Sequence, residues 1–115
     1  MTGLTRHLKK INTFVSMVRG GCVYIMTNKT NSVLYIGVSS NLKHRVFQHK
    51  NHIFSDSFTA KYNCHKLVYF ESFFTIDEAI RREKNLKNWK REWKDELINA
   101  VNPEWKDLFD EIEDW

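Results

Sequence analysis

Two short apolar runs, each with a tyrosine inside it, constrain the fold of this chain more than any other feature. The runs are residues 22–26 and 33–38, and the tyrosines are Tyr24 and Tyr35. The segment 27–32 between the runs is polar and prone to form a turn, so the pattern predicts an antiparallel β-hairpin. We expect Tyr24 to pair with Tyr35 across this hairpin.

The predicted hairpin has two different faces, because side chains alternate along a strand. One face is aliphatic and is expected to face the core: Val23, Ile25, Leu34, Ile36 and Val38. The other face carries both phenols beside Gly37, which has no side chain to block the approach of a ligand. A shift of one residue would mix the two faces. The tyrosine face is either a site of cross-strand aromatic packing, which is common in sheets, or part of a binding site.

Length and composition indicate one globular domain, with 115 residues and 42% apolar residues. No apolar run approaches the roughly 18 residues of a membrane span, and polar residues interrupt segment 8–18 too often for a secretory signal. Cys22 and Cys64 form neither a disulfide framework nor a metal-binding spacing. We expect both cysteines to be buried apolar residues in a cytoplasmic protein.

Charge is distributed unevenly along the chain. The net charge is +4, but residues 104–115 hold six acidic residues and one lysine, so residues 1–103 carry a net charge of +9. A basic body predicts a polyanionic partner such as nucleic acid, although it is also typical of a solubilising surface. The acidic end is expected to be a solvated tail, and the alternatives are that it mimics nucleic acid or covers the basic face.

The order of elements predicts an α/β (α+β) domain with three strands. After the hairpin we expect a helix over residues 42–51, a polar loop over 52–65 and a third strand over Lys66–Phe73. Thr75 to Glu78 has the form of a capping box and opens a long helix, which bends near Asn88, continues to Ala100 and ends before Asn102-Pro103. A short helix is expected over 104–109. The expected domains are an extension (1–16), the main domain (17–109) and the acidic tail (110–115).

The first helix carries two candidate functional residues beside its apolar stripe. Leu42 and Val46 form the stripe, and Arg45 and His49 are four residues apart on its flank. Arginine suits a bidentate grip on phosphate, and histidine exchanges protons near neutral pH. The alternative is that both are solvated surface residues. His52, near the end of this helix, is a weaker candidate.

Glu83 lies within the apolar stripe of the second helix, together with Ala79 and Leu86. A buried carboxylate is costly unless it is paired or bound to a cation. It therefore forms a salt bridge with Arg82, Lys87 or a distant arginine, or it binds a hard metal such as Mg²⁺.

A basic run with two tryptophans surrounds this stripe: Arg81, Arg82, Lys84, Lys87, Lys90, Arg91 and Lys94, with Trp89 and Trp93. The run is typical of a nucleic-acid-binding face, and also of a basic amphipathic core helix. We expect Trp93 in the core and Trp89 partly exposed.

Taken together, these motifs resemble the GIY-YIG nuclease superfamily, and most of all its small single-domain bacterial branch. Cys22-Val23-Tyr24 stands at the first motif and Tyr35-Ile36-Gly37 matches the second in full. Arg45, His49 and Glu83 match the helix-borne residues of the family. The resemblance covers about residues 20–109. Cys22 and Val23 depart from the Gly and Ile of the family name but preserve a small and a β-branched residue. The late polar residue of the family is assigned to Asn102, with Asn99 as the second choice.

The resemblance implies a three-stranded antiparallel sheet flanked by helices and the hydrolysis of phosphodiester bonds with one Mg²⁺ or Mn²⁺ ion. Glu83 would hold the metal, and Tyr24, with its pKa lowered by nearby positive charge, would be the general base. Tyr35 would hydrogen-bond the water or phosphate, Arg45 would offset transition-state charge, and His49 would relay a proton from Tyr24. Gly37, Lys84, Lys87 and Asn102 are the expected substrate-binding residues.

The main hypothesis from the sequence is a DNA endonuclease, structure-selective and of the repair or recombination type. RNA is a weaker candidate substrate. The alternative is a non-catalytic nucleic-acid-binding module of the same fold. Without a separate DNA-recognition domain, high sequence specificity is expected only with a protein partner. The sequence leaves the oligomeric state open.

Overall fold

The two tyrosine runs form the middle strand and one edge strand of a three-stranded antiparallel sheet. The structure is a computed structural model and describes residues 20–54 and 56–115; the expected extension (1–16) and the start of the main domain at residue 17 lie outside these residues. The strands are β1 (Gly21–Thr27), β2 (Leu34–Ser39) and β3 (Lys66–Phe73), and their order in the sheet is β2-β1-β3. The predicted fold class and the predicted bounds of β3 are confirmed.

The register of the hairpin differs by two residues from the predicted one. Tyr24 pairs with Gly37, and Tyr35 pairs with Met26, so the predicted Tyr24–Tyr35 pairing is wrong. A shift of two residues leaves every side chain on its original face, and the predicted separation into an aliphatic and a tyrosine face is therefore confirmed. The Asn28 side chain fits the observed register: its Oδ1 accepts hydrogen bonds from the backbone N–H groups of Ser32 and Val33 and closes a loop over residues 28–33, one residue later than the predicted turn.

Gly37 is needed because the ring of Tyr24 lies directly over it. A Cβ at position 37 would lie 2.5 Å from both Cζ and Oη of Tyr24. The space directly above Gly37 is occupied by the Tyr24 ring, and a contact between substrate and Gly37 stays a prediction.

Gly37→Ala is expected to lower the free energy of unfolding by about 1–3 kcal/mol, because the buried ring must move to admit the methyl group. Urea unfolding would measure the loss. In a Tyr24→Leu background the same change should cost less, since leucine lacks the two crowding atoms. Equal costs in the two backgrounds would contradict the argument.

Five helices surround the sheet in the described part of the chain: α1 (Leu42–Lys50), α2 (Phe58–Lys61), α3 (Ile76–Asn88), α4 (Arg91–Val101) and α5 (Phe109–Ile112). Asn41 caps α1 by accepting from His44 N–H. Thr75 caps α3 by accepting from Glu78 N–H, as the capping box predicts. Helix α2 lies where a plain loop was expected. The last helix starts at Phe109, so the prediction of a helix over 104–109 is wrong. No helix among these is long and apolar enough to span a membrane.

The sheet separates two cores. The aliphatic face packs against α3 and α4 through residues such as Ala79, Leu86 and Ile98. The tyrosine face packs against α1 and the C-terminal segment through Leu42, Val46 and Ile112. The tyrosine face is therefore an interior, and only its edge can serve as a site that is open to solvent.

The C-terminal segment is part of the second core. Ile112 is completely buried, and the ring of Trp115 packs edge-on against Phe70 at 5.3 Å. Lys50 forms a salt bridge with Asp107. The interpretation of residues 110–115 as a solvated tail is wrong, because their apolar residues cover the tyrosine face while the acidic ones remain exposed.

The helical pattern breaks between α3 and α4. Trp89 and Lys90 both have extended backbone angles, so the helical phase of α3 does not continue into α4. Trp93 is consequently 48% exposed, and the prediction that it lies in the core is wrong. Trp89 is partly buried against the aliphatic core, as predicted.

Candidate active site

A chain of hydrogen bonds links three elements at the edge of the tyrosine face. The hydroxyl of Tyr24 on β1 lies 2.8 Å from Nε2 of His49 on α1, and Nδ1 of His49 lies 2.8 Å from Oγ1 of Thr59 on α2. All three residues are buried. Val46 and Leu42 pack α1 on the sheet, and this packing turns His49, one turn further along, toward Tyr24.

Burial sets the protonation states of this pair. Burial raises the pKa of Tyr24 well above its ordinary value, and the nearby phenol of Tyr35 raises it further. The guanidinium of Arg45 lowers the pKa of Tyr24, but its effect is smaller. The expectation that positive charge lowers the pKa of Tyr24 overall is therefore wrong. Burial, and secondarily Arg45, lowers the pKa of His49 to about 4. Both side chains are neutral at pH 7.

Tyr35 connects the buried chain with the surface. Its ring centroid lies 6.1 Å from that of Tyr24 and 5.3 Å from that of His49, the latter in an edge-on arrangement. The Tyr35 side chain is partly exposed, and it lines a shallow cleft together with Phe58 and Lys87. The tyrosines predicted to lie side by side therefore do so, although they are not paired in register.

Arg45 and Glu83 approach the same phenol from two helices. The exposed Arg45 on α1 lowers the pKa of Tyr24, and the Glu83 carboxylate on α3 raises it. Both charged groups therefore lie within electrostatic range of the Tyr24 hydroxyl. The structure thus brings together Tyr24, Tyr35, Arg45, His49 and Glu83, which are the five candidates from the sequence.

Glu83 is the residue whose chemistry suits a cation. Its side chain is only 15% exposed, and its Oε2 lies 3.4 Å from Nζ of Lys87, which is 54% exposed. Because the lysine is half solvated, this ion pair is weak and can be exchanged for another cation. In residues 20–54 and 56–115, no three His, Cys, Asp or Glu side chains form a metal-binding cluster. A lone carboxylate fits Mg²⁺ or Mn²⁺ only if water and substrate phosphate supply the other ligands.

Asn102, an expected substrate-binding residue, and Asn99, the second choice for its role, both make side-chain hydrogen bonds within the chain. Asn102 is buried, and its side chain donates to the carbonyls of Val68 and Lys106 and accepts from Lys106 N–H. These bonds hold the turn after α4, so we do not retain Asn102 as a substrate-binding residue. Asn99, the second choice for the role of Asn102, accepts a hydrogen bond at its Oδ1 from the indole N–H of Trp105.

The remaining candidates lie on the surface. Lys84 and Lys87 are exposed on α3, and Lys87 lines the cleft beside Tyr35. His52 is exposed in the segment after α1 and has a positive φ of 51°; it is not among the residues that meet at Tyr24.

Sequence reasoning missed Thr59, the residue that holds the far side of the His49 ring. Thr59 lies on α2, which begins at the N-cap Ser57, whose side chain accepts from Ala60 N–H. A serine ahead of a short run of helix-compatible residues was the available signal. A helix of four residues is too short for its periodicity to reveal which side chain faces inward.

His49→Gln is expected to make stability less dependent on pH. The pKa of His49 is about 4 in the folded protein and about 6.5 in an unfolded chain. Between these values the unfolded state binds more protons, so the free energy of unfolding falls as the pH is lowered, by up to about 3 kcal/mol from this group. Urea unfolding at pH 7.0, 5.5 and 4.5 would measure the difference between variant and wild type. If the free energy of unfolding depended on pH equally in the variant and the wild type, the assigned burial of His49 would be contradicted.

The geometry agrees with the comparison with known families. A family model described as the GIY-YIG catalytic domain matches residues 20–96, which include all five converging residues. No curated protein and no solved structure matches the chain significantly. The match covers more than half of the chain, and the three-stranded antiparallel sheet with its flanking helices is consistent with the fold of this family. The chain therefore belongs to the GIY-YIG family of nuclease-type catalytic domains.

Proposed function

We propose that this protein is an endonuclease that hydrolyses DNA phosphodiester bonds with the help of one divalent cation, and that it selects its substrate by structure. The observation that carries the proposal is the convergence of two phenols, a buried neutral imidazole, a guanidinium and a carboxylate at one edge of the sheet. A module that only bound nucleic acid would have no need for a buried proton-transfer chain beside a phosphate-binding cation.

The proton path in this proposal starts from neutral groups and ends with the proton on His49, which becomes an imidazolium. The raised pKa of Tyr24 excludes a standing phenolate at pH 7, so Tyr24 would accept a proton only while it passes its own proton to Nε2 of His49. His49 is neutral and can receive it, while its Nδ1–H donates to Thr59. Tyr24 has no exposed surface, so Tyr35 would contact the attacking water and pass the proton inward.

The charged side chains at the solvent-facing edge of the site would bind the substrate phosphates. The exposed guanidinium of Arg45 would hydrogen-bond the scissile phosphate and offset the negative charge that develops in the transition state. Glu83 would hold a Mg²⁺ or Mn²⁺ ion, which when bound would polarise the phosphate and stabilise the leaving oxygen. Lys87, released from Glu83 by the cation, would contact a neighbouring phosphate.

A cleavage panel tests the proposal. Flap, branched, nicked, linear double-stranded and single-stranded DNA would be incubated with Mg²⁺ or Mn²⁺, and single-stranded RNA would be included for comparison. We expect cation-dependent nicking of at least one DNA. Salt-sensitive binding without cleavage of any substrate would support the non-catalytic alternative instead.

A further inference from the structure

Three aromatic rings form a row that leads away from the candidate active site. The ring centroids of Tyr35 and Phe58 lie 6.0 Å apart, and those of Phe58 and Tyr62 lie 4.7 Å apart. Phe58 is 46% exposed and Tyr62 is 41% exposed. We call Tyr35, Phe58 and Tyr62 the aromatic row. It starts at a residue of the proposed proton path and ends at the surface.

The aromatic row is held to the active site by the same short helix that completes the hydrogen-bond chain. Thr59 on α2 contacts His49 with its hydroxyl, and the adjacent Phe58 lies beside Tyr35 on the solvent side. Because Ser57 caps this helix and Thr59 anchors it, the position of Phe58 is coupled to that of His49. Two large rings that stay half exposed at such an anchored position are available for contacts outside the chain.

Positive charge accompanies the aromatic row along its length. Nζ of Lys61 lies 5.4 Å from the ring centroid of Tyr62. Lys87 and Lys94 line the cleft together with Tyr35 and Phe58. Exposed rings flanked by cations are the combination that binds unpaired nucleic acid, because bases stack on the rings while phosphates contact the lysines. The bases of a duplex are already stacked on one another and do not offer their faces in this way.

We propose that the aromatic row binds unpaired nucleotides next to the scissile phosphate, so that the substrate class is DNA with a single-stranded segment at the cleavage position. This inference rests on the proposed function and specifies its substrate. Phe58 and Tyr62 are the stacking residues, and Lys61, Lys87 and Lys94 contact the backbone of the same strand.

Binding assays can test the inference without cleavage. The protein would carry Glu83→Gln, and the probe would be a fluorescent oligothymidylate, compared with a blunt duplex of equal length. Phe58→Leu and Tyr62→Leu retain apolar volume but remove the ring, whereas Phe58→Trp retains a ring. Phe74→Ala is the control: Phe74 is 74% exposed and follows β3 at the end of the sheet opposite Tyr35, since Phe73 pairs with Gly21 and Tyr35 with Met26.

We expect each leucine variant to weaken binding of the oligothymidylate about tenfold and to leave duplex binding nearly unchanged. Phe58→Trp and Phe74→Ala should bind like the parent protein, and thermal melting should show that all variants fold. A 2-aminopurine base in the probe should lose fluorescence on binding to the parent protein and less so on binding to Phe58→Leu.

Two results would overturn the inference. One is oligothymidylate binding by the leucine variants at parental affinity, and the other is an equal loss of affinity for single strand and duplex. Either result would leave the proposed function standing if the wild-type protein still nicked duplex DNA. The absence of cleavage with intact stacking would reject the nuclease proposal and retain the aromatic row as a single-strand site.

Discussion

Glu83→Gln is expected to lower the rate of DNA cleavage by about 10³-fold, because loss of the cation removes several kcal/mol of transition-state stabilisation. Glutamine has nearly the same volume as glutamate, and the ion pair that it removes involves a lysine that is 54% exposed, so we expect the variant to fold normally. Gel assays of a labelled substrate would measure the rate. Electron paramagnetic resonance of Mn²⁺ titrated into the protein would measure cation binding independently of turnover.

Glu92→Gln is the matched control for this change. Glu92 is an exposed acid in the first turn of α4, and its removal alters the net charge as Glu83→Gln does. We expect this control to cleave DNA and bind Mn²⁺ like the wild type. Full activity of Glu83→Gln, or equal losses in both variants, would show that Glu83 does not hold the cation.

Tyr24→Phe is expected to reduce cleavage by about 10²–10⁴-fold, the usual contribution of general acid–base catalysis. The change removes one buried oxygen, which breaks the contact with Nε2 of His49 and interrupts the proposed proton path. Leaving that nitrogen without its partner should also lower the free energy of unfolding by about 1–3 kcal/mol. Single-turnover rates and urea unfolding would measure the two effects separately.

The second buried tyrosine of the sheet provides the comparison. Tyr69 lies on β3 in the aliphatic core, and its hydroxyl donates to Oε2 of Glu71 at 2.5 Å. Tyr69→Phe also removes one buried hydroxyl, but on the face of the sheet opposite the candidate site. It should change stability while leaving the cleavage rate close to wild type. If both variants lost activity equally, the effect of Tyr24→Phe would reflect stability and not proton transfer.

The order of the three strands, the positions of α1 and of the start of α3, and the division of the hairpin into faces could be predicted from the sequence because they depend on local patterns. Because side chains alternate along a strand, Val23 and Tyr24 lie on opposite faces, and a register shift of two residues does not change the face of either one. The capping box at Thr75 likewise requires only residues within one turn. The position of Trp93 could not be predicted in this way, because a break of two residues in the helix changes the direction of every later side chain.

In the candidate site, too, some features depend on local sequence and others depend on the whole fold. Residue types and spacing made two phenols, an arginine, a histidine and a carboxylate candidates, and the resemblance to the GIY-YIG superfamily joined them into one expected site. Their pKa values and partners depended on burial, which is a property of the whole fold. The sign of the pKa shift of Tyr24 was mispredicted because nearby charge is visible in the sequence, whereas the larger cost of removing water from the phenol is not.

The sequence by itself determined which face each side chain of the hairpin occupies, where α3 is capped and which five residues are candidates for catalysis, because these features arise from neighbours along the chain. Only the tertiary structure decided that Tyr24 lies over Gly37, that Thr59 holds His49, and that the rings of Phe58 and Tyr62 continue from Tyr35 toward solvent. Contacts of this kind join segments that are far apart in the chain, and they follow from how α1, α2 and the C-terminal segment share one limited surface of the sheet.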